Sequence, residues 1–183
     1  MNLQEKKISS DNIFTGMVVT MQRDKVLLGT GKQAIREVVR HSGGVCVAAV
    51  DDENHIYLVR QFRYPYNEIV TELPAGKLNP GEDPLECGKR ELLEETGLTA
   101  DEYISLGVLY PSPGYLDEVI HMYYARGLSQ GPQELDEDEF LDVIRIPLSK
   151  AVDMVHSGQL KDAKTQSAIL KTEYVIRRNV GGI

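Results

Sequence analysis

The stretch Ala75–Leu98, AGKLNPGEDPLECGKRELLEETGL, constrains the fold of this chain more than any other. It holds a complete helix signal and a charge pattern that a plain helix does not need. Asp83 suits the N-cap, Pro84 the first helical position, and Glu86 the second place of a capping box. Gly97 can close the helix in a left-handed conformation. The spacing therefore predicts a helix over Pro84–Thr96. Gly88 inside it weakens the helix by about 1 kcal/mol relative to alanine, which points to close packing there.

Within that helix Glu91 and Glu95 stand four residues apart, and Glu91 and Glu94 three, so all three share a face. Leu85, Leu92 and Leu93 turn the other side toward a core. Like charges so placed weaken a helix by a few tenths of a kcal/mol per pair, roughly. A divalent cation reverses the sign of that term. Hard oxygen ligands, few in number, suit Mg2+ or Mn2+, ions that keep waters and bind substrate phosphate. The plain alternative is a solvated acidic face neutralised by Lys89 or Arg90.

The rest of the chain sets bounds. Twenty Lys and Arg against 28 Asp and Glu leave a formal charge of −8. That balance disfavours nucleic acid and anionic membranes as partners, and suits an anionic substrate only if a cation mediates. At 183 residues and 42% apolar, the chain can bury one real core. Cys46 and Cys87 have no CxxC spacing and read as reduced thiols of a cytoplasmic protein. The opening MNLQEKKISSDN has no apolar signal region, and no run approaches the ~18 apolar residues of a membrane span.

FTGMVVTMQRDKVLLGTGKQAIREVVRH reads as a small antiparallel β unit. Apolar clusters fall at Met17–Met21, Val26–Leu28 and Ile35–Val39, with turns expected at Arg-Asp and Gly-Thr-Gly. Gly43-Gly44 marks a boundary, giving a β unit over 1–42 and a main domain over 43–183. VCVAAV follows as a buried strand, Asp51–Asn54 as a turn, HIYLVRQFR as the next strand, and EIVTELPAG as a strand ending at Pro74. Further strands are expected at Ile104–Leu109 and Val119–Ala125. The acidic stretch Glu134–Glu139 leads into FLDVIRIP. Two helices finish the chain, LSKAVDMVHSG and DAKTQSAILKTEYVIRRN; Asp162 caps the second, and Arg177 and Arg178 face its negative end. This order implies an α+β or mixed-sheet α/β fold with helices packed on a sheet.

Five residues separate Gly76 from Glu82, and seven more precede Arg90-Glu91-Leu92, followed by Glu94-Glu95 and Gly97-Leu98. This G-x5-E-x7-R-E-U-x-E-E-x-G-U pattern, with U a bulky aliphatic, resembles the full Nudix hydrolase signature. A chance match at its seven fixed positions is on the order of one in a million. The resemblance implies a Nudix fold: a mixed β-sheet flanked by helices as an α/β/α sandwich, here with the N-terminal β unit added. It also implies a divalent-metal enzyme, using Mg2+ or Mn2+, that cleaves a nucleoside diphosphate linked to another moiety. By the same resemblance, Glu91, Glu95 and the Ala75 carbonyl are metal ligands, and Glu94 binds a further ion or metal-held water as a catalytic candidate. Gly76 allows the tight turn beside the metal, Arg90 pairs with a carboxylate such as Glu82 to orient the helix, and Gly97 ends it.

YPSPGYLDE, with Pro113 fifteen residues after Leu98, resembles the ADP-ribose pyrophosphatase branch. That likeness places the Gly114 backbone and Glu118 near the terminal ribose. REVVRHSGGVCVAAV places Arg36 and Glu37 near the adenine, and VRQFR places Arg63 against the diphosphate, which guanidinium geometry suits. QELDEDEFLDV matches a loop whose E-x-E pattern supplies the remaining catalytic carboxylates. Glu137 and Glu139 fill it, one as general base and one as metal or water ligand, with the division between them open. The resemblance runs from about Phe14 to Arg178; Gly88 replaces a usual alanine and HSGGV a usual HPGAV. The β unit is marginal alone, and the branch implies that it packs across a homodimer and helps form the partner's adenine site. The expected enzyme hydrolyses ADP-ribose to AMP and ribose 5-phosphate. GDP-mannose or another nucleotide sugar is the alternative substrate. A non-enzymatic nucleotide-sugar sensor is the alternative of another class, although such a protein is expected to lose box carboxylates or add a recognition module.

Overall fold

The computed structural model describes residues 2–135 and 140–180. Its elements run β1 (Lys6–Thr15), β2 (Thr20–Leu27), β3 (Gln33–Arg40), β4 (Gly44–Ala49), β5 (His55–Arg63), β6 (Glu68–Glu72), β7 (Ala75–Lys77), α1 (Pro84–Thr96), β8 (Leu98–Leu109), β9 (Ile120–Gln130), β10 (Leu141–Pro147), α2 (Leu148–His156) and α3 (Ala163–Val180). They form two compact units, one of Met1–Gly43 with Tyr110–Val119 and one of Gly44–Leu109 with Ile120–Ile183.

In the first unit β1, β2 and β3 pair in order as an antiparallel sheet. The segment Tyr110–Val119 joins it through Val39, whose N–H donates to Tyr115 O at 2.8 Å and whose carbonyl accepts from Asp117 N at 3.1 Å. Two expectations are corrected here. Arg23 and Asp24 form no turn; both lie inside β2, and Asp24 is 5% exposed between Lys7 and Arg40. The turn before β2 instead closes with Gly16 N–H donating to Val19 O at 2.9 Å. The first strand also starts earlier than the apolar clusters suggested, at Lys6. Every residue of β1 is exposed, so no burial alternation marks it; pairing with β2 makes it a strand.

The second unit holds an antiparallel sheet, β10-β5-β6, and a mixed sheet, β7-β4-β9-β8, in which only the β4–β9 pair is parallel. β4 explains the layering. All six of its residues are buried. Cys46 and Ala48 join the core with Leu148, Ala151 and Ile169 of α2 and α3, while Val47 and Ala49 join Leu92 of α1. A strand apolar on both faces needs cover on both faces, and the helices provide it. β8 begins at Leu98 rather than Ile104, and β9 runs on to Gln130. They pair from Leu98↔Gln130 to Leu109↔Ile120, and much of that pairing carries little apolar alternation.

α1 has the predicted bounds. Asp83 Oδ1 accepts from Leu85 N–H at 2.9 Å and Glu86 N–H at 3.3 Å, whereas the Glu86 carboxylate accepts from Lys89 Nζ at 2.7 Å. Gly88 is the contact point with β4: a Cβ there would lie 3.1 Å from Val45 Cγ2 and 3.3 Å from Val47 Cγ2. Gly97 has φ +71°, and a Cβ on it would meet Gly131 O at 2.5 Å. Gly97→Ala should therefore destabilise the fold by about 2 kcal/mol, combining left-handed strain with this overlap. A denaturant midpoint unchanged from wild type would contradict that account. Among the described residues no helix is long and apolar enough to cross a membrane.

Candidate active site

Three residues of β7 bring backbone and helix together. Pairing of Val45 with Gly76 and of Cys46 with Ala75 fixes β7 beside β4, and α1 packs against both strands. Ala75 N–H donates to Glu95 Oε2 at 2.9 Å. A Cβ at Gly76 would sit 1.9 Å from the Glu91 carboxyl carbon, so glycine is what lets that carboxylate lie against the strand. Glu91 is 9% exposed and Glu95 3%. Two carboxylates of one helix face are thus buried against a backbone strand, an arrangement unlike a solvated acidic face.

Arg90 answers part of the charge. Its Nε donates to Glu82 Oε1 at 3.0 Å; its Nη1 lies 2.8 Å from both Glu91 Oε1 and Glu94 Oε2. The hydrogen bond from Arg90 and one from Asn79 N–H pull the Glu82 carboxyl down to about 2. Arg90 thereby ties the loop before α1 to the face that carries the acids. Gln61, Arg63, Gly76, Arg90, Glu91 and Glu95 contribute to one cleft of about 410 Å³. Glu94 is half-buried and held by Arg90, and it does not line this cleft.

The donor set fits a small hard cation. Glu91 and Glu95 offer carboxylate oxygens and β7 offers backbone carbonyls beside a residue without a side chain. Among the described residues no three His, Cys, Asp or Glu side chains converge as a metal-binding group. Two carboxylates leave much of the coordination to water and phosphate, which is how Mg2+ is commonly held.

Arg63, at the end of β5, makes a fork with Glu72 across the β5–β6 ladder: Nε to Oε1 at 2.7 Å and Nη2 to Oε2 at 2.8 Å. Lys164 Nζ also donates to Glu72 Oε2 and stands 3.0 Å from Asp162 Oδ1. Burial disfavours the Glu72 charge, but the hydrogen bond from Arg63 and the charge of Lys164 outweigh it and hold that carboxyl at about 2. Sequence reading missed Glu72 and Lys164, since 92 residues separate them and neither lies in a motif.

The C-terminal carbonyls of α1 are taken by one short segment. Gln130 Nε2 donates to Thr96 O, Gln133 Nε2 to Glu95 O, and Glu134 N–H to Glu94 O. Helix-end carbonyls need such partners, and the contacts anchor at α1 the chain that leads toward Glu137 and Glu139. Those two candidates lie outside the described residues.

Arg36, Glu37, Gly114 and Glu118 belong to the first unit. Arg36 pairs with Glu5 at 2.6 Å, and Glu118 lies 3.5 Å from His41 Nδ1. Arg36 and Glu37 are successive residues of β3 and so point to opposite faces of their sheet. Gly114 is exposed, with open space where a side chain would stand. Both cysteines are free and buried, and burial pushes both thiols up to about 12.

Strand, glycine, capped helix and buried carboxylate pair together define a Nudix element, and the chain belongs to the Nudix hydrolase family: the NUDIX domain matches residues 40–168. Enzymes of this family generally need divalent metal ions. The chain is 44% identical over 170 residues to the ADP-ribose pyrophosphatase of Bacillus subtilis (strain 168), a match covering 92% of each chain. It is also 44% identical over 168 residues to the methanol dehydrogenase activator of Bacillus methanolicus, covering 91% of each. Among solved structures it resembles an ADP compounds hydrolase across the whole of both chains, with TM-score 0.85 and 23% identity, a likeness of fold.

Proposed function

We propose that this chain hydrolyses the pyrophosphate of ADP-ribose, with Mg2+ or Mn2+, to AMP and ribose 5-phosphate. The observation that carries the reading is the buried Glu91–Glu95 pair packed on Gly76 with Arg63 lining the same cleft. In this reading Glu91, Glu95 and the Ala75 carbonyl hold the metal, which when bound neutralises diphosphate charge and acidifies water. Glu72 uses two of the five guanidinium N–H groups of Arg63, and the other three are donors for phosphate oxygens. Water adds to one phosphorus as the P–O–P bridge breaks, and Glu137 or Glu139 accepts the water proton. The Arg36–Glu37 pair is assigned to the adenine, with one of the two side chains on the face of β3 that meets the ring, and Gly114 and Glu118 to the terminal ribose. The 44% identity to an ADP-ribose pyrophosphatase supports this substrate.

A panel of ADP-ribose, GDP-mannose and other nucleoside diphosphate sugars, with products identified by chromatography, tests the assignment. ADP-ribose should give the highest kcat/KM, with AMP and ribose 5-phosphate in equal amounts. Preference for GDP-mannose would move the same chemistry to another sugar nucleotide. Absence of turnover with either metal would leave a binding protein rather than an enzyme.

A homodimer is part of the proposal. Ile8, Ile13, Phe14, Met17 and Val18 of the N-terminal unit are each about half exposed or more, and a three-stranded sheet has little core of its own. A second copy is the proposed cover for these apolar side chains. Sedimentation at assay concentration should give a dimer, and a fully active monomer would refute the pairing. The buried free thiols support a reducing, cytoplasmic setting.

A further inference from the structure

Arg63 reaches the cleft from a side chain 38% exposed, yet its anchor lies much deeper. The Glu72 side chain is 3% exposed and that of Lys164 13%. Both Glu72 oxygens accept the Arg63 fork, and Lys164 Nζ shares Oε2 with Arg63 Nη2. Lys164 belongs to the first turn of α3, and the same turn makes two more fixing contacts. Asp162 Oδ2 caps α3 by accepting Thr165 N–H at 2.9 Å. Thr165 Oγ accepts from Leu73 N–H at 2.8 Å, a fully buried bond. Glu72 and Leu73 thus hang from one helix turn, just before the chain enters β7 and the carboxylate pair.

We propose that Lys164 is a positioning residue for the hydrolysis: acting through Glu72, it fixes the Arg63 guanidinium at the orientation in which its remaining donors meet the diphosphate. The inference rests on the reading of Arg63 as the diphosphate ligand. Glu72 has two oxygens and stronger acceptor capacity than one fork needs. With Lys164 bound, that capacity is shared and Oε2 is held by both cations. With Lys164 gone, the Glu72 charge is left to Arg63 alone, and the fork loses the anchor that ties it to α3, so carboxylate and guanidinium shift together. Forked guanidinium–phosphate recognition depends on such orientation. Asp162 completes a quartet of two cations and two anions, so Lys164 acts by geometry and not by adding net charge.

Loss of orientation at a binding group raises KM more than it lowers kcat. Lys164→Met alone orphans part of a buried charge and threatens the fold. Lys164→Met is therefore measured first, with its fold checked by a thermal melt, and should raise KM for ADP-ribose with kcat nearly unchanged. The second test is Glu72→Gln/Lys164→Met, which removes both charges together. In the otherwise wild-type chain it should raise KM for ADP-ribose about tenfold and leave kcat within about threefold. Mn2+ affinity without substrate should not change, because the Glu91–Glu95 pair is untouched. The same pair of changes in an Arg63→Ala background should raise KM by less than about twofold, since coupled residues are non-additive. Equal increases in both backgrounds, an unchanged KM in the first, or a fall in kcat alone would each overturn the positioning role. Calorimetric binding of ADP with Mg2+ gives a second readout and should weaken about tenfold in parallel. If the unmodified chain does not hydrolyse ADP-ribose, the substrate assignment fails, and ADP binding to Lys164→Met still decides the role of Lys164.

Discussion

Glu95→Gln should lower turnover of ADP-ribose by about 10²–10³-fold, the scale of weakening electrostatic stabilisation of the transition state, here through the cation that Glu95 is proposed to hold. The variant should keep its fold. Glutamine preserves the side-chain shape and an oxygen for Ala75 N–H, the 2.9 Å bond that ties α1 to β7. It also removes one of two like charges that share a helix face and lie 9% and 3% exposed. Each such repulsion weakens a helix by a few tenths of a kcal/mol, roughly. That relief is smaller than the loss of a charged acceptor for Ala75 N–H and of the attraction to Arg63, so without added metal the variant should be less stable than wild type by about 1 kcal/mol, while its affinity for Mg2+ or Mn2+ falls. A small change in stability beside a large loss of activity separates a functional carboxylate from a structural one. Glu86→Gln is the control, on the same helix but exposed and paired only with Lys89, and should change neither. Near-wild-type turnover of Glu95→Gln at saturating metal would remove Glu95 from the principal ligands.

What made this element readable from sequence was locality. Asp83, Pro84 and Gly97 signal both helix ends within a few residues, and the helix has the expected limits. β5 likewise coincides with HIYLVRQFR, set off by the Asp51–Asn54 turn. The failures share the opposite property. β1 is exposed at all ten positions and exists through its ladder to β2, including two register shifts that no local pattern encodes. Arg23-Asp24 looks like a polar turn, but Asp24 is buried in β2 beside cations from β1 and β3. β7 is three residues long and is held by pairing with β4. The same limit applies in the site. Arg63 was visible as a cation near the right strand, whereas its anchor, Glu72 with Lys164, spans β6 and α3. Gln130 carried no sequence signal, and Gln133 and Glu134 only opened the acidic stretch, until the fold set all three against the open carbonyls of α1.

Those last contacts bear on the largest kinetic effect expected outside the Nudix helix. The chain leaves α1's end through Glu134 and proceeds to Glu137 and Glu139, the proposed source of the general base. Glu94, the other carboxylate considered for that role, is engaged by Arg90 and does not line the cleft. A base acts on the attacking water in the transition state, whereas the contact proposed between Arg63 and the diphosphate is made in ground state and transition state alike. The two kinds of loss therefore differ in their kinetics. At least one of Glu137→Gln and Glu139→Gln should reduce kcat by about 10²–10⁴-fold with KM nearly constant, the usual range for a general base. Arg63→Ala should mainly raise KM. Measuring AMP and ribose 5-phosphate at saturating Mg2+ distinguishes these outcomes, because saturation removes differences in metal occupancy. Gln133→Ala supplies an intermediate case: it deletes the side-chain amide that donates to Glu95 O and leaves every carboxylate in place. Its kcat should fall by less than about tenfold, as expected when a catalytic group is less well placed but still present. If both loop variants and their double variant retain wild-type kcat, the acidic stretch is solvated charge, and Glu94 becomes the base to test next.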